Sequence, residues 1–252
     1  MNNADEYGMT PLHVASYNGD LKTVKTLLTN KVEVDKTNVY GMTPLHVASR
    51  DGHLSVVLTL LNSNANVDKP DNHLVTPLHW ASLNGNLKVV KYLIKNGAGV
   101  NMRDNDGMTP LHMACDKGHI EVVNYLIKHG AIVNIGDIKN RTAVYYANNA
   151  GHKKIVSLLT HKLVDEYDSI YTLHDAKRDG VEEKWQHVAG KKGVKDLFNA
   201  KKQLPEDLIR VIESFIIKEE EESVEGEKRK TKKSKVKKTS VKSVSRRNKN
   251  KK

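Results

Sequence analysis

The chain has 252 residues, 38% hydrophobic and 28% charged, which suffices for one large domain or two small ones with a buried core. Phe and Trp occur only twice each, so that core must be built from Leu, Ile, Val and Ala. No apolar run approaches the roughly 18 residues that span a bilayer, and no signal peptide is read in the opening residues. The single cysteine, Cys115, excludes an intrachain disulfide and a multi-cysteine zinc site. A reducing compartment is expected, cytoplasmic or nuclear. The net charge of +11 is concentrated at one end. Residues 228–252 hold 14 Lys or Arg and no acid, which leaves −3 for residues 1–227. A basic nucleic-acid-binding groove is therefore not expected in the body.

In chain order, one pattern recurs. TPLHVA starts at Thr10 and Thr43, TPLHWA at Thr76, TPLHMA at Thr109 and TAVYYA at Thr142, each 33 residues after the last. A glycine follows each at a fixed distance: Gly19, Gly52, Gly85, Gly118 and Gly151. Asp5, Asn38, Asp71, Asp104 and Asp137 precede them in the same register. Thr is a good N-cap, and Pro fits the first helical turn, where its missing N–H costs nothing. A short helix is predicted from each Thr to near the glycine. A second helix follows, with Leu21, Val24, Leu27 and Leu28, or Ile120, Val123, Leu126 and Ile127, at helical spacing. Asn64, Gly97 and Gly130 stand where that helix must turn into a left-handed conformation. One such pair cannot bury its apolar faces alone, but stacked neighbours can.

These motifs closely resemble the ankyrin repeat family over about residues 5–165: the D-x-x-G turn, T-P-L-H-x-A, the glycine, and the close Gly97-Ala98-Gly99-Val100-Asn101. The resemblance implies an all-α ankyrin-repeat solenoid with projecting turns that binds a protein partner without catalysis. Repeats are expected at about 5–37, 38–70, 71–103, 104–136 and 137–168, with a degenerate sixth at 169–189. The sixth rests on Leu173, His174, Ala176 and Gly180, with Trp185 and Val188 on its second helix. Two departures stand out. The third turn has Leu74 where others have Gly8, Gly41, Gly107 or Asn140, and Leu tolerates positive φ poorly. That turn is expected to differ in shape. The fifth repeat loses Pro and His, at Ala143 and Tyr145, and reads as weaker.

Residues 190–218 contain an amphipathic helix, 204–217, with Leu204, Leu208, Val211, Ile212, Phe215 and Ile216 on one stripe. It reads as a cap on the stack. Residues 204–216 also resemble the opening of an F-box, which implies an adaptor for a cullin-type ubiquitin ligase. Residues 219–252 follow as a disordered tail, acidic and then basic. Lys228, Arg229, Lys230, Lys232, Lys233, Lys235, Lys237 and Lys238 resemble a nuclear localisation signal, which implies importin as a partner. Charge alone would also give this tail unselective nucleic-acid affinity.

The recurring His13, His46, His79 and His112 lie one repeat apart, about 10 Å, too far to share an ion whose ligands sit near 2 Å. Each is expected to bridge its own turn and the next by hydrogen bonds. Cys115 aligns with Ser16, Ser49 and Ser82 and reads as a packed thiol. No catalytic motif, metal site or cofactor motif is found, and a monomer is expected. By the resemblance, partner contacts fall on the turn tips and the first helices. These are Tyr7, Met9, Tyr17, Tyr40, Met42, Arg50, His73, Val75, Leu83, Asp106, Met108, Lys117, Lys139 and Arg141. Met9, Met42, Val75 and Met108 share one column, read as an apolar spine facing water along the concave face.

Overall fold

The computed structural model describes residues 4–170, with side chains to residue 163. Ten helices alternate short and long: α1 Pro11–Tyr17, α2 Leu21–Thr29, α3 Pro44–Asp51, α4 Leu54–Asn62 and α5 Pro77–Leu83. They continue as α6 Leu87–Lys95, α7 Pro110–Lys117, α8 Ile120–Lys128, α9 Ala143–Asn149 and α10 Lys153–Ile170. No strand occurs among the described residues. Each odd helix packs on the next odd helix and on its own even partner, while successive even helices touch less. The closer odd layer bends the stack so that odd helices and turns line its inner side.

Local chemistry sets each helix. Thr10, Thr43, Thr76, Thr109 and Thr142 are extended N-caps, and the first four pair with histidine in a capping box. Each box satisfies orphan N–H groups of the first turn. The buried aliphatic column runs Leu12, Leu45, Leu78, Leu111 and Val144 along the inner layer. Leu60, Leu93, Leu126 and Leu159 answer it from the outer layer. Leu27, the first-repeat counterpart, is only half-buried, since among the described residues no repeat packs on its far side.

The third turn does not differ in shape, contrary to expectation. Leu74 adopts φ 59°, and its N–H reaches Asp71 O at 3.0 Å, as Gly41 reaches Asn38 O at 3.0 Å. The acidic or amide side chain explains this. Asp71 Oδ1 accepts from His73 N and Val75 N at 2.8 and 3.0 Å and holds the loop closed whatever stands at 74. Lys31 (φ 56°) joins Asn64, Gly97 and Gly130 as a left-handed terminus of an outer helix. In the fifth repeat the corresponding residue, Leu163, is fully buried and helical, and α10 runs on to Ile170. The degenerate sixth repeat, the helix at 204–217 and the tail from 219 lie outside the described residues.

Candidate partner-binding face

Three hydrogen-bond ladders fix the inner side. The first is the histidine column. His13 Nδ1 accepts the Thr10 N–H at 3.2 Å, so the proton sits on Nε2, which donates to Met42 O at 2.9 Å. His46 repeats this with Thr43 N and Val75 O, both at 3.0 Å. His79 reaches Met108 O and His112 reaches Arg141 O, each at 3.2 Å. Each imidazole thus ties its own turn to the following one, as expected. Burial disfavours the cationic form, holding His46 and His79 down at about 4 and lowering His13 and His112 as well.

The second ladder is main chain. The Val39, Asn72, Asn105 and Ile138 N–H groups donate to Tyr7, Tyr40, His73 and Asp106 O at 2.9–3.1 Å. The third was not foreseen. His53, His119 and His152 donate from Nε2 to Tyr17, Leu83 and Asp116 O at 2.8, 3.0 and 3.1 Å. Asn86 takes this part in the third repeat, reaching Arg50 O at 2.8 Å. The legible signal was the residue immediately after each repeat glycine. That glycine is required: a Cβ on Gly85 would lie 2.5 Å from His119 Nδ1.

On this frame the expected contact residues separate. Tyr7, Tyr17 and Tyr40 are 54%, 52% and 56% exposed. His73, Asp106, Lys117 and Lys139 are exposed, while Arg50 and Leu83 are half-exposed. Arg50 forks onto Asp51 at 3.0 and 3.1 Å and lies over the Tyr17 ring at 5.6 Å, which holds that ring. Lys117 pairs with Asp116 at 2.8 Å.

The methionine spine is corrected. Met42 is only 7% exposed, and Met9, Val75 and Met108 are half-buried. This column carries the carbonyls that accept from the histidines. Arg141 ends the column in an internal network. Its Nε donates to Asp137 Oδ2 at 2.8 Å, Tyr146 OH donates to the same oxygen at 2.7 Å, and its guanidinium stacks 5.2 Å from the Tyr146 ring. Burial raises the Asp137 pKa, but the Arg141 and Tyr146 hydrogen bonds prevail and set it at about 2.

Other exposed apolar side chains take the spine's place. Val14, Val39, Leu74 and Ile138 are all exposed large hydrophobics on turns or on α1. Their signal in the sequence was apolar character at the variable positions flanking the motif. Met9 and Val14 also line an open groove of about 540 Å³ at the first repeat, with Asp5, Pro11, Asn18 and Thr23. Cys115 is fully buried, and burial pushes its thiol far up, so it supplies no nucleophile at neutral pH. No cluster of metal-ligating side chains occurs among the described residues.

A family model described as ankyrin repeats (3 copies) matches residues 12–104 and 78–169. These matches cover more than half of the 252 residues. The chain belongs to the ankyrin repeat family. No curated protein matches it. The fold is an all-helical repeat solenoid of a kind that serves as a non-catalytic protein-interaction module. Among the described residues of this ankyrin chain, no helix is long and apolar enough to cross a membrane.

Proposed function

We propose that the protein captures a protein partner on the inner side of its ankyrin stack, centred on Tyr17, Tyr40, His73 and Leu74. One observation carries this reading. Large apolar and aromatic side chains are exposed there on a backbone whose polar groups are already tied by three ladders. Such a surface is preorganised, so little ordering entropy opposes binding. Aromatic residues are also enriched at interface centres.

The test is affinity capture with the full chain, then binding of the recovered partner to Tyr17→Ala with Tyr40→Ala. Interface hot spots cost at least about 2 kcal/mol each, so a tenfold or larger loss is expected with the thermal midpoint nearly unmoved. Normal binding by the folded double variant would place the site elsewhere. The F-box-like stretch LPEDLIRVIESF supports a second reading as a ubiquitin-ligase adaptor. Ligase subunits recovered with residues 219–252 deleted, but lost with 204–252 deleted, would favour it. The basic run from Lys228 to Lys238 supports nuclear import, tested by the location of a chain lacking it.

A further inference from the structure

The charges of this body are segregated, which a net count conceals. Seven of its aspartates accept from backbone N–H groups. Asp5, Asp71, Asp104 and Asp137 close turns. Asp20 caps α2, accepting Thr23 N at 3.0 Å, and Asp35 and Asp68 bridge repeats by accepting Asn66 N and Gly99 N. The outer helices carry the opposite sign. Lys22 and Lys25 on α2, Lys88, Lys91 and Lys95 on α6, Lys128 on α8, and Lys153 and Lys154 on α10 are all exposed. Among the described residues none of them is in an ion pair. Against them the outer helices carry one acid to residue 163, Glu121.

The centre of this face lies on α6 and α8, where cations and aromatic rings interleave. Lys91 Nζ sits 5.5 Å over the Tyr125 ring of the next repeat, and Lys95 Nζ 5.9 Å over Tyr92. Tyr125 stacks on His129 with centroids 3.9 Å apart. The rings thus position the lysines, and their faces are occupied rather than open for base stacking. Ammonium groups outside any ion pair meet phosphates without reading sequence. A bilayer fits less well. Among the described residues none of the exposed large hydrophobics lies on an outer helix, so that face offers no apolar side chain to insert among acyl chains.

We propose that the outer-helix face, centred on Lys88, Lys91, Lys95 and Lys128, is a second binding surface that engages the phosphate backbone of duplex nucleic acid. It acts together with the like-charged residues 228–252 and leaves the inner face free. The body, and not the tail alone, then contributes nucleic-acid affinity.

The test uses the full-length protein and a fluorescent random-sequence DNA duplex, with anisotropy followed across salt. One variant carries Lys88→Gln, Lys91→Gln, Lys95→Gln and Lys128→Gln. A second changes every Lys and Arg of residues 228–252 to Gln, and a third combines both sets. Each phosphate contact adds about 0.9 to the salt slope. The four outer-face changes are therefore expected to flatten the slope by about 3–4 units and to weaken binding at least about tenfold. The tail-neutralised chain should still bind, and the combined chain should not. A control with Lys117→Gln and Lys139→Gln should bind as the parent does. Circular dichroism establishes that each variant is folded. Three results would overturn the proposal: an unchanged slope in the outer-face variant, no binding by the tail-neutralised chain, or binding of that chain to phosphatidylserine vesicles but not to duplex.

Discussion

The fourth and fifth repeats build the same helix pair from different chemistry. The fourth closes with a neutral device. His112 is buried, accepts the Thr109 N–H at 3.0 Å and donates to the next turn. The fifth has Ala143 and Tyr145 in place of Pro and His, and it closes with a charged one. Arg141 and Tyr146 share a single carboxylate oxygen of Asp137. A neutral ladder suits positions covered on both sides, because an unpaired charge there would face a large desolvation cost. A charge-assisted cluster suits a turn where the cation stays partly exposed, as the Arg141 guanidinium does. The substitution that makes the fifth repeat look degenerate is thus a different closure of the same turn.

The largest effect should come from coverage. Leu126→Ala removes a fully buried side chain between repeats and is expected to cost about 2–5 kcal/mol. Leu27→Ala, at the half-buried start of the stack, should cost clearly less. Urea denaturation measures both, and equal midpoints would contradict a linear array in which each repeat leans on its neighbours.

Acid should separate the two closures. Folded His46 and His79 titrate near 4, below the ordinary 6.5. The unfolded chain therefore takes up protons first. This stability is fully present above about pH 6.5 and is lost as pH falls toward about 4. The loss is about 1.4 kcal/mol per pH unit for each histidine. Asp137 behaves in the same sense at lower pH, from its ordinary 3.8 down to about 2. Unfolding midpoints at stepped pH should show two windows. His46→Gln with His79→Gln should shrink the first, leaving the share of His13 and His112, and should leave the second.

The fifth-repeat closure can be cut directly. Tyr146→Phe removes one hydrogen bond to a carboxylate, and bonds to charged groups contribute about 1.5–3 kcal/mol. The loss should be local. Hydrogen exchange should rise in α9 and the turn before it, while α3 and α5 stay protected. Uniform acceleration would mean that the stack opens as one unit.

Much of this was legible in the residues. Thr-Pro at a fixed period named the helix starts, and the repeat spacing of the histidines excluded a shared ion and left hydrogen-bonded bridges as the expectation. What failed did so for identifiable reasons. Met42 was placed in water because register gives a residue's column but not its depth. Met42, Val75 and Met108 all hold a histidine on their carbonyls, yet only Met42 is buried. The second histidine ladder escaped notice because Asn86 interrupts it and because Asp20, capping α2, stands in its place in the first repeat. The lysine face escaped because a sum of charges carries no direction. Only packing shows that seven aspartates are turned onto backbone N–H groups while eight exposed lysines stand on the outer helices.

The smallest expected effect concerns Leu74. A left-handed conformation costs an L-residue roughly 1–2 kcal/mol, and Leu74 holds φ 59° while remaining 48% exposed. Its neighbours in register avoid this cost with Gly8, Gly41 and Gly107, or reduce it with Asn140. Leu74→Gly would relieve the strain. It would also loosen the unfolded chain, which opposes the gain by about 0.5–1 kcal/mol. The net stabilisation should be about 0.5–1 kcal/mol, visible as a small rise in the urea midpoint with unchanged slope. Nothing in the turn needs the leucine, because Asp71 holds the loop and Asn105 N still reaches His73 O at 2.9 Å. Strain kept at an exposed apolar side chain motivates the hypothesis that Leu74 serves binding rather than folding. The same variant should therefore bind the captured partner less tightly although it is more stable. A more stable variant with full affinity would reduce Leu74 to an accident of the turn and leave Tyr17 and Tyr40 to carry the inner face.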